Sequence, residues 1–245
     1  MRVEHLAIDG SVVAIEAEAD LTSKATAAGW AVVPALMQAH PFTIYPAGQS
    51  KVMEETLRGV HGIKILATEE YSLKKGKLRV GEVELPAATG GEYQLTVGAW
   101  EGSGGCLHTS ILGANRSLLV EVFDTLHFSN RSRGLAIDSP VVAQPRPPEV
   151  IKEVPEIGLL RIRPAVSSEL ERVPKSRGFM ADHGELFRLS GESQDLLFVS
   201  PSTVVAIKPL PRAPGARAAQ TTQVLEATRR IKVEWTPRGQ TASTN

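Results

Sequence analysis

The sequence predicts a mainly β or α+β fold. An antiparallel sheet with one or two packed helices is expected first, followed by a smaller all-β part like a barrel or a sandwich. Short segments along most of the 245 residues alternate apolar and polar side chains, which is typical of half-buried strands. The 21 glycines and 16 prolines fall largely between these segments and favour tight turns. Only residues 115–128 show a clear helical spacing of apolar residues, so helices are expected to be few.

The first 40 residues predict a hairpin followed by a helical segment. Residues 3–19 alternate on both sides of Asp9-Gly10, a dipeptide that favours a tight turn between two strands. In residues 21–40, Ser23 is a suitable N-cap, but Gly29 and Pro34 interrupt the helical pattern. We therefore expect a helix, a turn and a second short helix there.

Further strands are expected on both sides of the best helix. Residues 50–58 predict one or two helical turns, because Ser50 and Glu54 stand near the positions of a capping box. The helix at 115–128 is expected to lay its apolar face on the sheet. The predicted strands cover residues 42–45, 62–68, 77–85, 92–100, 157–163, 185–189, 196–199, 203–207 and 229–235.

A proline-rich segment, residues 139–155, predicts a linker. Its prolines remove backbone donors and favour extended geometry, which suits a semi-rigid spacer. The predicted organisation is an α+β domain over 1–138, this linker, a small β-rich domain over 156–237 and a flexible tail over 238–245. The alternative is a long edge strand or a surface loop inside one domain.

Charge is balanced over the whole chain but not along it. The chain has 27 basic and 27 acidic residues. Residues 1–138 contain 12 basic and 16 acidic residues, and residues 139–245 contain 15 and 11. This contrast favours contact between the two parts or head-to-tail contact between copies, unless it is ordinary scatter in composition.

The chain is expected in the cytoplasm, or in a particle assembled there. Its single cysteine cannot form an internal disulfide. The N-terminus alternates and lacks the apolar run of a signal peptide. Residues 25–50, the longest nearly uncharged stretch, are interrupted by glycine and proline, so we expect no membrane span.

One candidate for catalysis is the glycine-rich segment 102–108, which contains Cys106 and His108. An imidazole can lower the pKa of a nearby thiol, which suggests a thiol-dependent hydrolase or transferase. Asp124 and His127 lie three apart on the predicted helix, where a carboxylate can orient a catalytic imidazole. The structural alternative is a hairpin turn followed by a half-buried strand, with Cys106 acting as a small apolar residue.

Neither a metal site nor a cofactor is predicted. The six histidines are scattered, and no His or Cys pair has the spacing of metal ligands. The glycines at 102–105 precede a predicted strand and lack the Lys-Ser/Thr of a phosphate-binding loop.

A basic C-terminal stretch is a candidate for binding anions or nucleic acid. Arginines on an irregular segment can neutralise phosphates, and the nearby Trp235 offers a stacking platform. Overall neutrality and few aromatic residues argue against a dedicated nucleic-acid-binding protein. The residues of this candidate site are Arg212, Arg217, Arg229, Arg230 and Lys232.

The leading interpretation is a non-enzymatic interaction or assembly protein. Its partners would be other protein subunits, either copies of itself or different chains, as in a virion or tail, a secretion machine or an envelope complex. The alternatives are a small thiol-dependent enzyme that uses Cys106 with His108 or His127, and an anion-binding or nucleic-acid-binding module.

Overall fold

The computed structural model of the chain describes residues 1–61, 65–86, 90–131, 134–138, 145–189, 195–210 and 224–240. Within these ranges the protein is mostly β, with antiparallel strands and few helices, which confirms the mainly β fold class. The barrel or sandwich arrangement stays a prediction. No helix in the described ranges is long and apolar enough to cross a membrane.

The helices and strands of the described residues have the following bounds. The helices are α1 (Val52–His61), α2 (Arg116–Thr125) and α3 (Ser167–Leu170); residues 224–229 are also helical, and Pro34–Leu36 form a 3₁₀ turn. The strands are β1 (Arg2–Leu6), β2 (Val12–Glu16), β3 (Thr26–Val33), β4 (Gln38–Tyr45), β5 (Leu66–Leu73), β6 (Gly76–Pro86), β7 (Glu92–Gly102), β8 (Gly105–Leu112), β9 (Phe128–Arg131), β10 (Gly134–Ile137), β11 (Glu149–Val154), β12 (Gly158–Pro164), β13 (Phe179–Ala181), β14 (Gly184–Arg188), β15 (Leu196–Val199), β16 (Thr203–Lys208) and β17 (Lys232–Thr236).

The chain divides into two compact units, and the first is discontinuous in sequence. Unit 1 combines Met1–Ala27 with Pro147–Asn245, and unit 2 is Ala28–Arg146. The discontinuity arises because β2 pairs with β1 on one side and with β17 on the other. These boundaries differ from those expected from the sequence, since a pairing between the two ends of the chain leaves no local pattern.

Part of the predicted linker is a strand. β11 pairs antiparallel with β12, so that Val150 lies opposite Ile162. Pro148 and Pro155 flank this strand, where a missing N–H does not interrupt the ladder. Residues 139–144 of the predicted linker lie outside the described residues.

Each unit carries no net charge. Unit 1 has 16 basic and 16 acidic residues, and unit 2 has 11 of each. The contrast between an acidic N-terminal part and a basic C-terminal part therefore depends on cutting the chain at residue 138. Because each unit is neutral, this charge contrast gives no argument for contact between oppositely charged units.

In unit 2, α2 packs on one face of a sheet ordered β3-β4-β8-β7-β6-β5. Asn115 caps the helix by accepting a hydrogen bond from a backbone N–H of its first turn. Gly98 on β7 makes room for the helix, because a Cβ there would lie 2.8 Å from both Leu119 and Phe123. Close packing at one glycine therefore fixes where α2 sits.

Two helical predictions are corrected by the structure. The helix predicted for 115–128 ends at Thr125, because Leu126 is extended and Phe128 begins β9. The helical prediction for residues 21–40 is wrong, since that segment contains β3, the 3₁₀ turn and the start of β4. Pairing within the sheet outweighs the weak helix propensity of this segment. The helical turns predicted near residues 50–58 are confirmed as α1.

In unit 1, a buried lysine ties the segment after β2 to β11. Lys152 is 1% exposed, and its ammonium group donates hydrogen bonds to the carbonyl oxygens of Leu21, at 3.0 Å, and of Ser23. The Ser23 hydroxyl accepts a third bond at 3.2 Å. Burial lowers the pKa of Lys152. All three donors of the ammonium group are thus satisfied, although no carboxylate of the described residues pairs with it.

Two buried carboxylates of unit 1 hold three arginines. Arg161 donates two hydrogen bonds to Glu149, at 3.0 and 2.9 Å. Arg163 bridges the two carboxylates, at 2.8 Å from Glu149 and 2.9 Å from Glu169. Arg172 completes the network at 3.2 Å from Glu169. The network connects β11, β12 and α3, and Glu149 is its most heavily bonded member.

We expect Glu149→Gln to lower the free energy of unfolding by about 2 kcal/mol, because it leaves two arginines short of a buried anionic partner. Urea unfolding followed by circular dichroism measures this. Glu153→Gln is the matched control, since Glu153 is exposed on the same strand. Equal stability of the two variants would contradict the structural role given to Glu149.

Candidate functional site

The candidate site lies on one face of the β7–β8 hairpin in unit 2. Glu101 is directly opposite Cys106, and Ala99 is opposite His108. On the other side of β8, Tyr45 of β4 is opposite Cys106. Because cross-strand partners point to the same face, the hairpin places these side chains together, away from α2.

Cys106 is fully buried and its thiol is held in the protonated form. Burial raises its pKa to about 11, and the neighbouring Glu101 carboxylate contributes in the same direction. The backbone N–H groups of Gly48 and Gln49 approach the sulfur and oppose this shift without cancelling it. At neutral pH the residue is therefore a thiol that hydrogen-bonds to Glu101.

Glu101 is the anion at the centre of the site. Hydrogen bonding from the Ser50 side chain is the largest cause that lowers the pKa of its carboxyl group. The backbone N–H of Gly48 donates to Glu101 Oε1 at 3.0 Å, and the charge of Arg79 also favours the carboxylate. One side chain thus connects β7 to the segment between β4 and α1.

His108 is buried and neutral. It is 1% exposed, and its ring centroid lies 4.7 Å from that of Tyr45. Burial lowers its pKa to about 4, although the Glu101 carboxylate acts in the opposite direction. Neither ring nitrogen has a hydrogen-bond partner among the described residues. Such unpaired buried polar atoms are costly and occur rarely.

This arrangement disfavours nucleophilic chemistry. A thiol nucleophile needs a lowered pKa, which a neighbouring cation can supply, whereas burial and the neighbouring anionic carboxylate raise the pKa of Cys106. Asp124 and His127 are exposed at the end of α2, with no ion pair between them, and neither contributes to the environment of Cys106.

Next to these residues, a cleft opens between α1 and the sheet. Its volume is about 320 Å³ including its open mouth, and its lining is mainly apolar. Val97 and Ala99 contribute to its floor, and Ser50 and Glu54 to its wall. At its edge the guanidinium group of Arg79 lies 3.8 Å from the Glu54 carboxylate.

The basic candidates lie in unit 1, and those that the structure describes are paired with carboxylates. Arg229 lies 3.7 Å from Asp182, Arg230 lies 2.6 Å from Glu18, and Lys232 lies 3.0 Å from Glu234. Their positive charge is thus compensated locally. The other two candidates of this set, Arg212 and Arg217, lie outside the described residues.

Trp235 is not available as a stacking platform. It is 6% exposed, and β17 places it opposite Val13 of β2. The aromatic support expected for nucleic-acid binding is therefore part of the unit 1 core.

Glu101 was not among the site residues predicted from the sequence. The signal that identifies it is the hairpin register: a two-residue turn at Ser103-Gly104 makes Gly102 and Gly105 partners, and therefore Glu101 and Cys106 partners.

Among the described residues, no group of three or more His, Cys, Asp or Glu side chains is arranged to hold a metal ion. Comparison with protein-family models, with curated proteins and with solved structures finds no match to this chain.

We expect the buried His108 to make the protein less stable in acid. Its folded-state pKa of about 4 lies below its ordinary value of 6.5, so the unfolded chain binds the proton first as the pH falls. The part of the unfolding free energy that depends on neutral His108 is fully present above pH 6.5. It falls by about 3 kcal/mol as the pH drops towards 4, given a pKa shift of this size. Burial also lowers the pKa of His5 in unit 1 to about 4, so protonation of His5 likewise destabilises the folded protein in acid.

Unfolding free energies measured from pH 7 to pH 4 test this expectation. His108→Leu should show a shallower fall than the wild type, while the exposed His183→Leu control retains the wild-type fall. Identical pH profiles for wild type and His108→Leu would refute it.

Proposed function

We propose that this chain is a non-enzymatic component of a larger protein assembly and that it binds other protein subunits through an exposed sheet edge. The observation that carries the proposal is β13, which ends the unit 1 sheet ordered β13-β14-β15-β16-β12-β11 and has only β14 as a neighbour among the described strands. Its Phe179 and Met180 are 56% and 60% exposed.

An edge of this kind suits strand addition by another chain. Its outer backbone N–H and C=O groups point away from β14, so a further strand can pair with them. Phe179 and Met180 lie on opposite faces of the strand, so an added strand would bury apolar surface on both faces. No proline or lysine interrupts β13, although these residues commonly protect sheet edges.

The two alternative functions receive less support. The thiol-enzyme hypothesis needs a reactive Cys106, whose environment favours the protonated thiol. The anion-binding hypothesis needs free positive charge, whereas Arg229, Arg230 and Lys232 each have a carboxylate partner. A virion, a secretion machine or an envelope complex are the kinds of assembly that we consider for the proposed role.

We expect a Phe179→Lys/Met180→Lys double variant to lose the binding partners of the wild type. Lysine on both faces of the edge strand opposes the addition of another strand. Affinity capture of the tagged chain from its native extract and sedimentation of the purified protein measure partner binding and self-association. Met37→Lys is the matched control, because Met37 is 91% exposed on a turn of unit 2.

Urea unfolding establishes that both variants fold like the wild type. Loss of a stoichiometric partner in the double variant alone would support the proposal. A wild-type protein that stays monomeric at high concentration and captures nothing would overturn it, as would a double variant that keeps every partner.

A further inference from the structure

A short segment closes the candidate site in unit 2. We call residues 46–50, between β4 and α1, the strap. Its Gly48 N–H donates to Glu101 Oε1 at 3.0 Å, and its Ser50 side chain bonds to the same carboxylate. The backbone N–H groups of Gly48 and Gln49 also approach the sulfur of Cys106. Glu101 thus holds both the middle and the end of the strap.

The strap covers a buried thiol but is itself largely exposed. Ala47, Gly48 and Gln49 are exposed, whereas Cys106 beneath them is 0% exposed. A segment with few buried contacts is typical of local opening. The hydrogen bonds to Glu101 oppose this opening.

The strap also has a backbone conformation that favours glycine. Gly48 has φ of +87°, a value that other residues adopt only with strain. No atom lies within 4 Å of the position that its Cβ would occupy. A side chain at position 48 would therefore strain the closed strap without striking anything beneath it.

We propose that the strap is a gate that opens independently of global unfolding, with the Glu101 carboxylate as its latch. Opening exposes Cys106. It also moves Ser50, which contributes to the wall of the neighbouring cleft. The inference concerns unit 2 and does not depend on the assembly role proposed for β13.

Cys106 is the only cysteine of the chain, so its alkylation reports opening directly. We expect the wild-type protein to be labelled at low urea at a rate that does not depend on urea, as for a local opening. Gly48→Ala should increase this rate about fivefold or more, because it strains only the closed state. Gly113→Ala is the matched control, since Gly113 has φ of +88° and equally open surroundings.

Glu101→Gln tests the latch itself, with Glu92→Gln on the same strand as its control. Because removal of the Glu101 charge also changes the reactivity of the thiol, the readout for this pair is hydrogen exchange of the Gly48 amide. Exchange should be faster in Glu101→Gln and unchanged in Glu92→Gln, and at low urea it should not depend on the urea concentration in either variant.

Two results would overturn the inference. One is labelling of Cys106 that falls on the global unfolding curve in every variant, which would mean that the strap does not open alone. The other is a rate in Gly48→Ala no higher than in Gly113→Ala, together with equal Gly48 exchange in the two glutamine variants.

Discussion

The pairing of β2 with β17 is the constraint on which the architecture of the chain depends. It joins Val12–Glu16 to Lys232–Thr236 in one antiparallel ladder, with Val13 opposite Trp235. Unit 1 is therefore built from both ends of the sequence, and unit 2 is the continuous stretch between them. The neutral charge of each unit follows from this division, because the acidic first 27 residues are joined to a basic C-terminal segment.

In unit 2, one face of β7 packs against α2 and the other carries the candidate site. Gly98 faces α2 and lets the helix approach closely, whereas Glu101 points to the opposite face. There a single carboxylate accepts hydrogen bonds from the strap and favours the protonated form of Cys106. His108 stays neutral even beside this anion, since burial dominates its protonation. The site is thus organised around the negative charge of one carboxylate, which accepts hydrogen bonds from several protein groups.

Local patterns in the sequence predicted much of the secondary structure. The Asp9-Gly10 turn, the β15 strand and the capped helix after Asn115 all carry short-range signals, and the structure contains each of them. Residues 26–33 carry no such signal, because only their neighbours in the sheet make them a strand. Burial of Trp235 likewise depends on a distant partner strand. Cys106 and His108 were recognised from spacing, but their protonation depends on Glu101 and on the depth of burial, which spacing does not reveal.

The discontinuity of unit 1 has a consequence for synthesis on the ribosome. All residues of unit 2 emerge before β17 is made. The sheet of unit 2 and α2 can therefore assemble while the chain is still growing. β2, by contrast, is made before unit 2, and its second edge cannot pair until β17 has followed unit 2. During that interval the hydrogen-bonding groups on the unpaired edge of β2 and its apolar residues, Val13 and Ile15 among them, are open to other chains, so a chaperone that covers β2 would protect the growing chain from aggregation.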